Sequence, residues 1–435
     1  ALRQLPVTLA AARDLVDAGA QPSGSDAMMQ ICVAPMNVDI PQTELEAFAL
    51  RVLEGGAEAF RADGEGRTPL NLALTNGWPR LCDSLLGRGA DVRARDRRGR
   101  TPLFVALSSP EPAREELIKS LLRAGADPEV RAANNETPLG LALARGQESL
   151  QRWLNWPGWK LPCRTLRAVD LIAAASAGDA EAVGKLLELG LPVDAVDGYG
   201  ASALLHAAGR GCADVAALLL ERGANLTHAA RDGSTALSAA VAARQWAVMD
   251  LLLGRGVEID QRLAGGGTTL MAAAGRGDAE SVVILLAHGA RADADDDHGM
   301  RALHAAAQFA FGGGDPQTAR RVIEHLLDAG APIDARNADG QTALLILLGA
   351  RAQPRSGADQ KALLGLFRLL CERGARIDVQ DERGVGPLHA CAMHGLLLPA
   401  RALLGAGADR TRRDLLERTP REVAHLLGFI DVAAE

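Results

Sequence analysis

The chain has 435 residues, of which 48% are hydrophobic and only 3% aromatic, and it carries a formal net charge of −7. An acidic chain lacks the basic face that binds nucleic acid, which argues against a nucleic-acid partner. Apolar content dominated by Ala and Leu suits thin helical layers better than a β-sandwich or a deep pocket, so the composition favours an all-α chain.

The cysteines and the longest apolar runs bear on where the chain resides. Six cysteines are scattered without the spacing of a disulfide framework, which predicts a reduced, cytoplasmic setting. No apolar run approaches the ~20 residues of a membrane-spanning helix, so no membrane insertion is expected within this sequence. The sequence begins at Ala1 without Met or a signal-peptide pattern, which suggests a processed or excised piece. Any membrane anchor would then lie outside it.

One unit recurs along the chain. It has a Ser or Thr start, an Ala-rich segment, a Leu-rich segment and a closing glycine, most of these glycines being 32 to 37 residues apart. The predicted second-helix ends are Gly19, Gly56, Gly89, Gly125, Gly158, Gly190, Gly223, Gly256, Gly289, Gly330, Gly374 and Gly407. The Ser or Thr hydroxyl caps the first helix, and glycine ends the second where a left-handed conformation is needed. One unit cannot bury its apolar face alone, so the pattern predicts stacking.

The N-terminal part is the least regular. Residues 5–20 resemble a second helix with little room for a first one, which indicates either a degenerate cap or truncation from a longer chain. Residues 21–43 contain Pro22, Pro35 and Pro41, so a long irregular finger or an abbreviated helix is expected there.

The segment between Trp153 and Arg164 breaks the pattern a second time. Three tryptophans (Trp153, Trp156 and Trp159) replace the aliphatic end of a second helix, and no finger follows. Two blocks, 1–163 and 164–435, are one interpretation; one continuous array with a degenerate repeat is the other. Alignment places Trp153 in the core and the other two near the surface. There they could anchor a partner, although filling a gap between blocks explains them equally well.

Residues 201–299 hold three successive copies of the unit at a 33-residue period, starting at Ser202-Ala203-Leu204, Thr235-Ala236-Leu237 and Thr268-Thr269-Leu270. Beyond them, insertions at 311–316 and 350–360 separate first from second helices and are expected side by side, away from the fingers. Residues 418–435 are predicted to form a capping helix or helix pair with a charged outer face.

A 33-residue period of two short helices, with Thr-Pro-Leu-His-like starts and Gly-Ala ends, resembles ankyrin repeats. The resemblance implies an all-α solenoid of about twelve helix-turn-helix units joined by β-turn or hairpin fingers. It also implies a concave protein-binding groove lined by variable residues at the finger tips and first-helix ends. The partner-binding candidates include these positions and two of the tryptophans. They are Arg97, Arg98, Arg145, Trp156, Trp159, Tyr199, Arg210, Arg231, Arg276, Asp296, Asp297, His298, Phe309 and Arg383.

Motifs that suggest chemistry fit poorly. Asp293, Asp295 and Asp297 have calcium-loop spacing, but His298 stands where such a loop needs glycine. Residues 178–185 have the wrong glycine spacing for a phosphate loop. His389 and Cys391 point in different directions on a helix, which argues against zinc. We therefore expect neither metal nor cofactor, and no catalytic arrangement emerges.

The sequence thus predicts a non-enzymatic module that binds another protein, of unknown identity and with an unknown oligomeric state. One alternative is a regulatory or inhibitory domain of a larger enzyme or membrane protein; another is an enzyme with an unrecognised site within 21–43. The charges suggest a long partner with acidic and basic ends. Arginines crowd the finger at 93–100 and aspartates the finger at 293–297, too far apart to neutralise each other, so each patch is expected to meet solvent or a partner.

Overall fold

A computed structural model of the chain describes residues 27–33, 41–356 and 358–435. Within these residues the chain is all-α: it forms 24 helices and no sheet. The chain divides into two compact units, Ala1–Pro192 and Val193–Glu435. The block boundary at 163/164 stays a prediction.

The first unit consists of helix pairs in which first helices pack on first helices and second on second. Its helices are α1 (Ala27–Val33), α2 (Gln42–Glu54), α3 (Pro69–Asn76), α4 (Pro79–Gly87), α5 (Pro102–Ala106), α6 (Ala113–Arg123), α7 (Pro138–Ala144), α8 (Glu148–Leu154), α9 (Ala168–Ala177) and α10 (Ala180–Glu188). Helix α1 lies within the irregular stretch predicted at 21–43. The second helix predicted at 5–20 lies outside the described residues.

The second unit repeats the same pairing. Its helices are α11 (Ala203–Arg210), α12 (Ala213–Glu221), α13 (Ala236–Ala242), α14 (Trp246–Gly254), α15 (Thr269–Gly275), α16 (Ala279–Ala287), α17 (Ala302–Phe311), α18 (Pro316–Asp328), α19 (Ala343–Leu347), α20 (Gln360–Glu372), α21 (Pro387–His394), α22 (Leu397–Gly405), α23 (Pro420–Leu427) and α24 (Ile430–Ala434). Three fingers are closed by a single antiparallel bridge, for example Val196 with Ser202.

Local chemistry explains where the helices begin. The side chains of Thr235 and Thr268 accept hydrogen bonds from the backbone N–H groups of Ser238 and Met271, so the predicted capping is confirmed. At α9, which lacks the Thr, Asp170 takes over, because its Oδ2 accepts from Arg167 N at 2.7 Å. At this helix start a carboxylate three residues into the helix accepts from the N-cap N–H, whereas the Thr hydroxyls accept from the N–H three residues after the N-cap.

Glycines end the second helices as predicted, with one correction. Gly223, Gly256 and Gly289, for example, have φ between 80° and 91°, the left-handed region. Gly158 does not end a helix, since α8 stops at Leu154 and Asn155 is extended (φ −106°, ψ 116°). Gly158 instead permits a close approach: a Cβ there would lie 2.0 Å from Asp179 Oδ2.

The C-terminal residues form the helix pair that the sequence allowed, and their outer face carries apolar as well as charged residues. Helices α23 and α24 bury Val423, Ala424 and Ala433 against the preceding pair. On the opposite side, Leu426 and Ile430 are exposed, so this face is partly apolar and not only charged.

Candidate functional site

In several fingers an aspartate folds the turn onto itself. Asp197 Oδ1 accepts from the backbone N–H groups of Tyr199 at 2.8 Å and Ala201 at 3.0 Å, while its Oδ2 lies 2.8 Å from His206 Nε2. Partial burial disfavours the Asp197 carboxylate, but these hydrogen bonds outweigh it and hold its pKa below the usual range. The turn therefore presents its tip residue on a fixed backbone.

Backbone hydrogen bonds join neighbouring fingers of the second unit. Arg231 N donates to Tyr199 O at 3.0 Å, Asp297 N to Gly265 O at 3.3 Å, and Ala338 N to His298 O at 2.8 Å. The structure thus brings the tip residues Tyr199 and Arg231 together on adjacent turns. The side chains of Tyr199, Arg231, Asp297 and His298 point to solvent, and Tyr199 is 80% exposed.

The ends of the first helices provide the second part of the candidate site. Arg210 is exposed, and its guanidinium has no hydrogen-bond partner among the residues that the structure describes. Arg276 donates to Ala242 O at 2.5 Å and is also exposed. Phe309 is half-buried against Gly277 and Gly314, where a Cβ would come within 2.4 Å of its ring. Arg210, Ala243, Arg276 and Phe309 share one position relative to the helix N-cap. We call the surface formed by this position on all first helices of the second unit the first-helix surface.

Two candidate residues of the second unit have internal roles. Asp296 Oδ1 accepts from His298 N and Met300 N, each at 2.8 Å, and so folds its own finger. Arg383 donates to Asp381 Oδ2 at 2.8 Å and to Ala350 O at 2.8 Å. These contacts are structural, and a partner-binding role for either residue stays a prediction.

In the first unit, too, some candidates are bonded to other residues of the chain and others are exposed without a partner. Arg145 donates to Ser108 Oγ at 2.7 Å, and Arg97 pairs with Glu65 Oε1 at 2.8 Å. Arg98 is exposed, and its guanidinium finds no partner in the described part of the chain. Trp159 is half-buried beside Trp156, with ring centres 6.4 Å apart.

The expected surface position of Trp156 is wrong: the ring is buried with 4% exposure. Its Nε1 donates to Trp153 O at 2.8 Å, and Lys185 Nζ lies 5.0 Å from the ring centre. Trp156 therefore fills the place of the missing finger. Trp153 is fully buried, as the sequence predicts.

The two charged fingers are partly compensated within the chain, and the expectation that solvent or a partner meets each of them stays a prediction. Arg100 pairs with Asp96 at 2.8 Å, just as Arg97 pairs with Glu65. On the acidic finger, Asp293 pairs with Arg291 and Asp295 with Arg301, at 3.1 and 3.3 Å. Arg95 donates only to the backbone oxygens of Gly99 and Arg131, and Asp296 accepts only from backbone N–H groups. Among the described residues, the side chains of Arg98 and Asp297 have neither an ion-pair nor a hydrogen-bond partner.

The suggested metal sites can be compared with the geometry. Of the three calcium-like carboxylates, Asp293 pairs with Arg291 and Asp295 with Arg301, whereas Asp297 is exposed to solvent. His389 Nε2 donates to Arg418 O at 3.0 Å, and its Nδ1 accepts from Gly386 N at 3.3 Å, so both ring nitrogens are engaged. Over the described ranges, no cluster of three or more His, Cys, Asp or Glu side chains could hold a metal ion.

Sequence reasoning missed an apolar finger tip. Leu415 and Leu416 are 73% and 69% exposed on the last finger, which is joined to its neighbour by a bond from Leu415 N to Arg383 O at 3.0 Å. Aligning them with the charged pair Glu382-Arg383 of the preceding finger would have singled them out.

Stacked helix pairs joined by finger turns, with variable residues on the tips, define a helical repeat protein. A family model described as ankyrin repeats (3 copies) matches at residues 44–132, 171–263 and 244–336, more than half of the chain. The chain therefore belongs to the ankyrin-repeat family, whose repeats are generally protein-interaction modules and typically not enzymes. A sequence comparison with curated proteins found no match. Of the helices that the structure describes, none is both long enough and apolar enough to span a bilayer.

Proposed function

We propose that this protein is a non-enzymatic, cytoplasmic module that binds a partner protein. The site comprises the finger tips of the second unit (Tyr199, Arg231, Asp297 and His298) and its first-helix surface. Ankyrin repeats generally serve in protein interactions, and the proposal extends that role to these residues.

The observation that carries the proposal is the position of Tyr199. It is the only tyrosine in the chain, and its ring is exposed while its backbone is fixed by Asp197 and Arg231. The ring contributes nothing to the core. A rigid aromatic side chain held in solvent gives a partner a large contact area with little loss of conformational entropy, which is typical of binding hot spots.

Charge and shape near Tyr199 support the same surface. Arg210 supplies an uncompensated positive charge at the end of α11, and Asp297 supplies a negative one on a later finger of the same unit. Between them, first-helix residues such as Ala239 and Ala272 are small, so a partner segment could approach the backbone closely. Opposite charges at two ends of a surface fix the orientation of a bound partner.

Site-specific photocrosslinking in cells tests the proposal. We expect a benzophenone amino acid at Tyr199 to give a discrete partner adduct, and Tyr199→Ala to reduce co-purification of that partner at least tenfold, as for a hot spot of about 2 kcal/mol. A benzophenone at Val283, exposed on the second helix α16, is the matched control. No adduct from Tyr199, or equal adducts from both positions, would contradict the proposal.

A further inference from the structure

The first-helix surface is open over part of the second unit and covered over the rest. Arg210, Ala243 and Arg276 are exposed. At the same position relative to the N-cap of the later first helices, Ala350 is 2% exposed and His394 is 6% exposed. The end of α21 is therefore covered, and Ala350 belongs to the segment that covers it, whereas the ends of α11, α13 and α15 are open to solvent.

The cover is the segment Gly349–Ser356, which follows α19 and belongs to the insertion before α20. We call it the closing segment. Gly349 O accepts from His394 Nε2 at 2.9 Å, and Arg355 N donates to Met393 O at 3.0 Å. Arg355 Nη2 donates to Leu427 O at 2.9 Å. The segment thus bonds at or beside the counterparts of Arg210 on both α21 and α23.

The closing segment also extends back toward the fingers. Ala350 O accepts from Arg383 Nη2 at 2.8 Å, and Arg383 lies on a finger. The insertion was expected only on the edge away from the fingers, so its course corrects that prediction. Helix α19 lies beneath it, with Ala343–Leu347 buried throughout.

The start of the closing segment fits between two aromatic rings. Phe311 and His394 stand edge to face with centres 5.1 Å apart. Gly349 has φ 95°, and a Cβ there would lie 2.6 Å from both rings. Only glycine fits this position without displacing a ring. The start of the segment therefore fits a site formed by the Phe311 and His394 rings.

We propose that the closing segment is an intramolecular ligand of the first-helix surface. Over α19, α21 and α23 the segment lies at positions equivalent to those at which, according to the proposed function, a partner binds over α11 to α17. Its bonds are made to backbone carbonyl oxygens, one imidazole and one guanidinium, groups that a partner segment could also satisfy. The partner is thereby confined to the first four repeats of the unit unless it displaces this segment.

Hydrogen exchange on the full chain tests the proposal without any partner. One variant opens the segment by combining Arg351→Ser, Gln353→Gly, Pro354→Ser and Arg355→Gly; a second carries only Arg355→Ala. We expect backbone amides of residues 391–398 to exchange about tenfold faster in the first variant, because an opened segment loses its bonds to both Met393 and Leu427. The increase should be smaller in the second variant, which loses only the side-chain bond to Leu427 O. Residues 203–276 should be unaffected.

Arg368→Ala, an exposed arginine on α20, is the matched control and should leave exchange unchanged. Unchanged exchange at 391–398 in both segment variants would overturn the proposal. Circular dichroism checks that each variant is folded, and the single variant keeps the test decisive if the quadruple variant unfolds.

Adding the segment as a separate peptide tests whether it binds as a ligand or acts only because it is covalently connected to the chain. The octapeptide of residues 349–356, at the millimolar concentration that a short tether supplies, should restore protection in the opened variant. The same peptide with alanine in place of Arg355 should not. No restoration, or equal restoration by both peptides, would overturn the ligand role. Neither readout involves a partner, so failure here leaves the proposed function untouched.

Discussion

Lys185 lies over the ring of Trp156, with its Nζ 5.0 Å from the ring centre, and donates to Glu181 Oε1 and Asn155 O at 2.6 Å each. The lysine is 6% exposed, so both its charge and its packing are committed to this contact. The pair joins the irregular segment after α8 to α10 in the place where other repeats have a finger. Loss of the Trp156–Lys185 contact should therefore destabilise the neighbouring helix pairs.

Trp156→Ala is expected to lower the free energy of unfolding of the first unit by about 3 to 5 kcal/mol, the range for removing a buried tryptophan. Urea denaturation followed by circular dichroism measures it. Trp246, which is 43% exposed in the second unit, is the comparison, and Trp246→Ala should lower stability much less. Equal losses would mean that Trp156 does not hold this layer.

The same segment is where we expect local opening to begin. Residues 155–166 lack the regular backbone bonds of a finger; Leu166 N to Arg123 O, at 2.8 Å, is one of the few in this stretch. Array stability is a sum over neighbouring layers, so the layer with the fewest bonds should open first. Limited proteolysis should cut between Trp156 and Arg164 before other sites. Uniform hydrogen-exchange protection across residues 150–170 would instead favour one continuous array.

Acid should weaken the start of α9. Burial disfavours the Asp170 carboxylate, but hydrogen bonds from Arg164, at 2.7 and 2.8 Å, and from Arg167 N outweigh it and hold its pKa below the usual range. Because the unfolded aspartate, with a pKa of about 3.9, binds a proton first, this stabilisation is complete above pH ~4 and is lost as pH falls toward the folded pKa. Asp170→Asn should cost about 1 to 3 kcal/mol at pH 7 and flatten the acid limb of the unfolding curve. Asp83→Asn, an exposed aspartate on α4, should do neither.

Mild acid should also destabilise the second unit through two buried histidines. Burial lowers the pKa of His304 and of His389. In each ring Nε2 donates to a carbonyl oxygen and Nδ1 accepts from a backbone N–H, so a second ring proton would face a donor. The unfolded imidazole, with a pKa of about 6.5, takes the proton first, so the free energy of unfolding should fall as pH drops below that value.

Denaturant titrations at pH 7.5 and 5.5 measure this dependence. It should be weaker in His304→Gln, whose amide can still donate to Ala335 O. His425→Gln, at an exposed histidine, is the control and should keep the full dependence. A midpoint that does not change with pH in the native chain would contradict this role of the two histidines.

Arg98 is the residue with which to test electrostatic steering in the first unit, because Arg97 is already paired with Glu65. Arg98→Glu should slow association with the partner identified by crosslinking and flatten the salt dependence of the on-rate, leaving the fold intact. Arg80→Glu, the same charge change on the second helix α4, is the control. Stopped-flow kinetics at several ionic strengths give the comparison, and an unchanged on-rate for Arg98→Glu would exclude steering by this finger.

The sequence by itself determined the repeat, because the signals that end and begin its helices are local. A threonine hydroxyl bonds a backbone N–H three residues on, and a glycine such as Gly223 takes a left-handed φ that other residues disfavour. A 33-residue period of such signals was enough to predict the all-α stacked fold. The same alignment pointed to Tyr199 and Arg210 as variable, exposed positions.

Only the tertiary structure decided which of those positions are free. Trp156 is buried beneath Lys185, and Arg97 is paired with Glu65. Gly158 leaves room for the Asp179 side chain instead of ending a helix. The closing segment reaches from Arg355 to Leu427, two helix pairs further along. The sequence period shows only what neighbouring repeats have in common. The partners of these residues lie about 20 to 70 residues away and are set by packing between repeats, where a single insertion or substitution changes what a side chain meets.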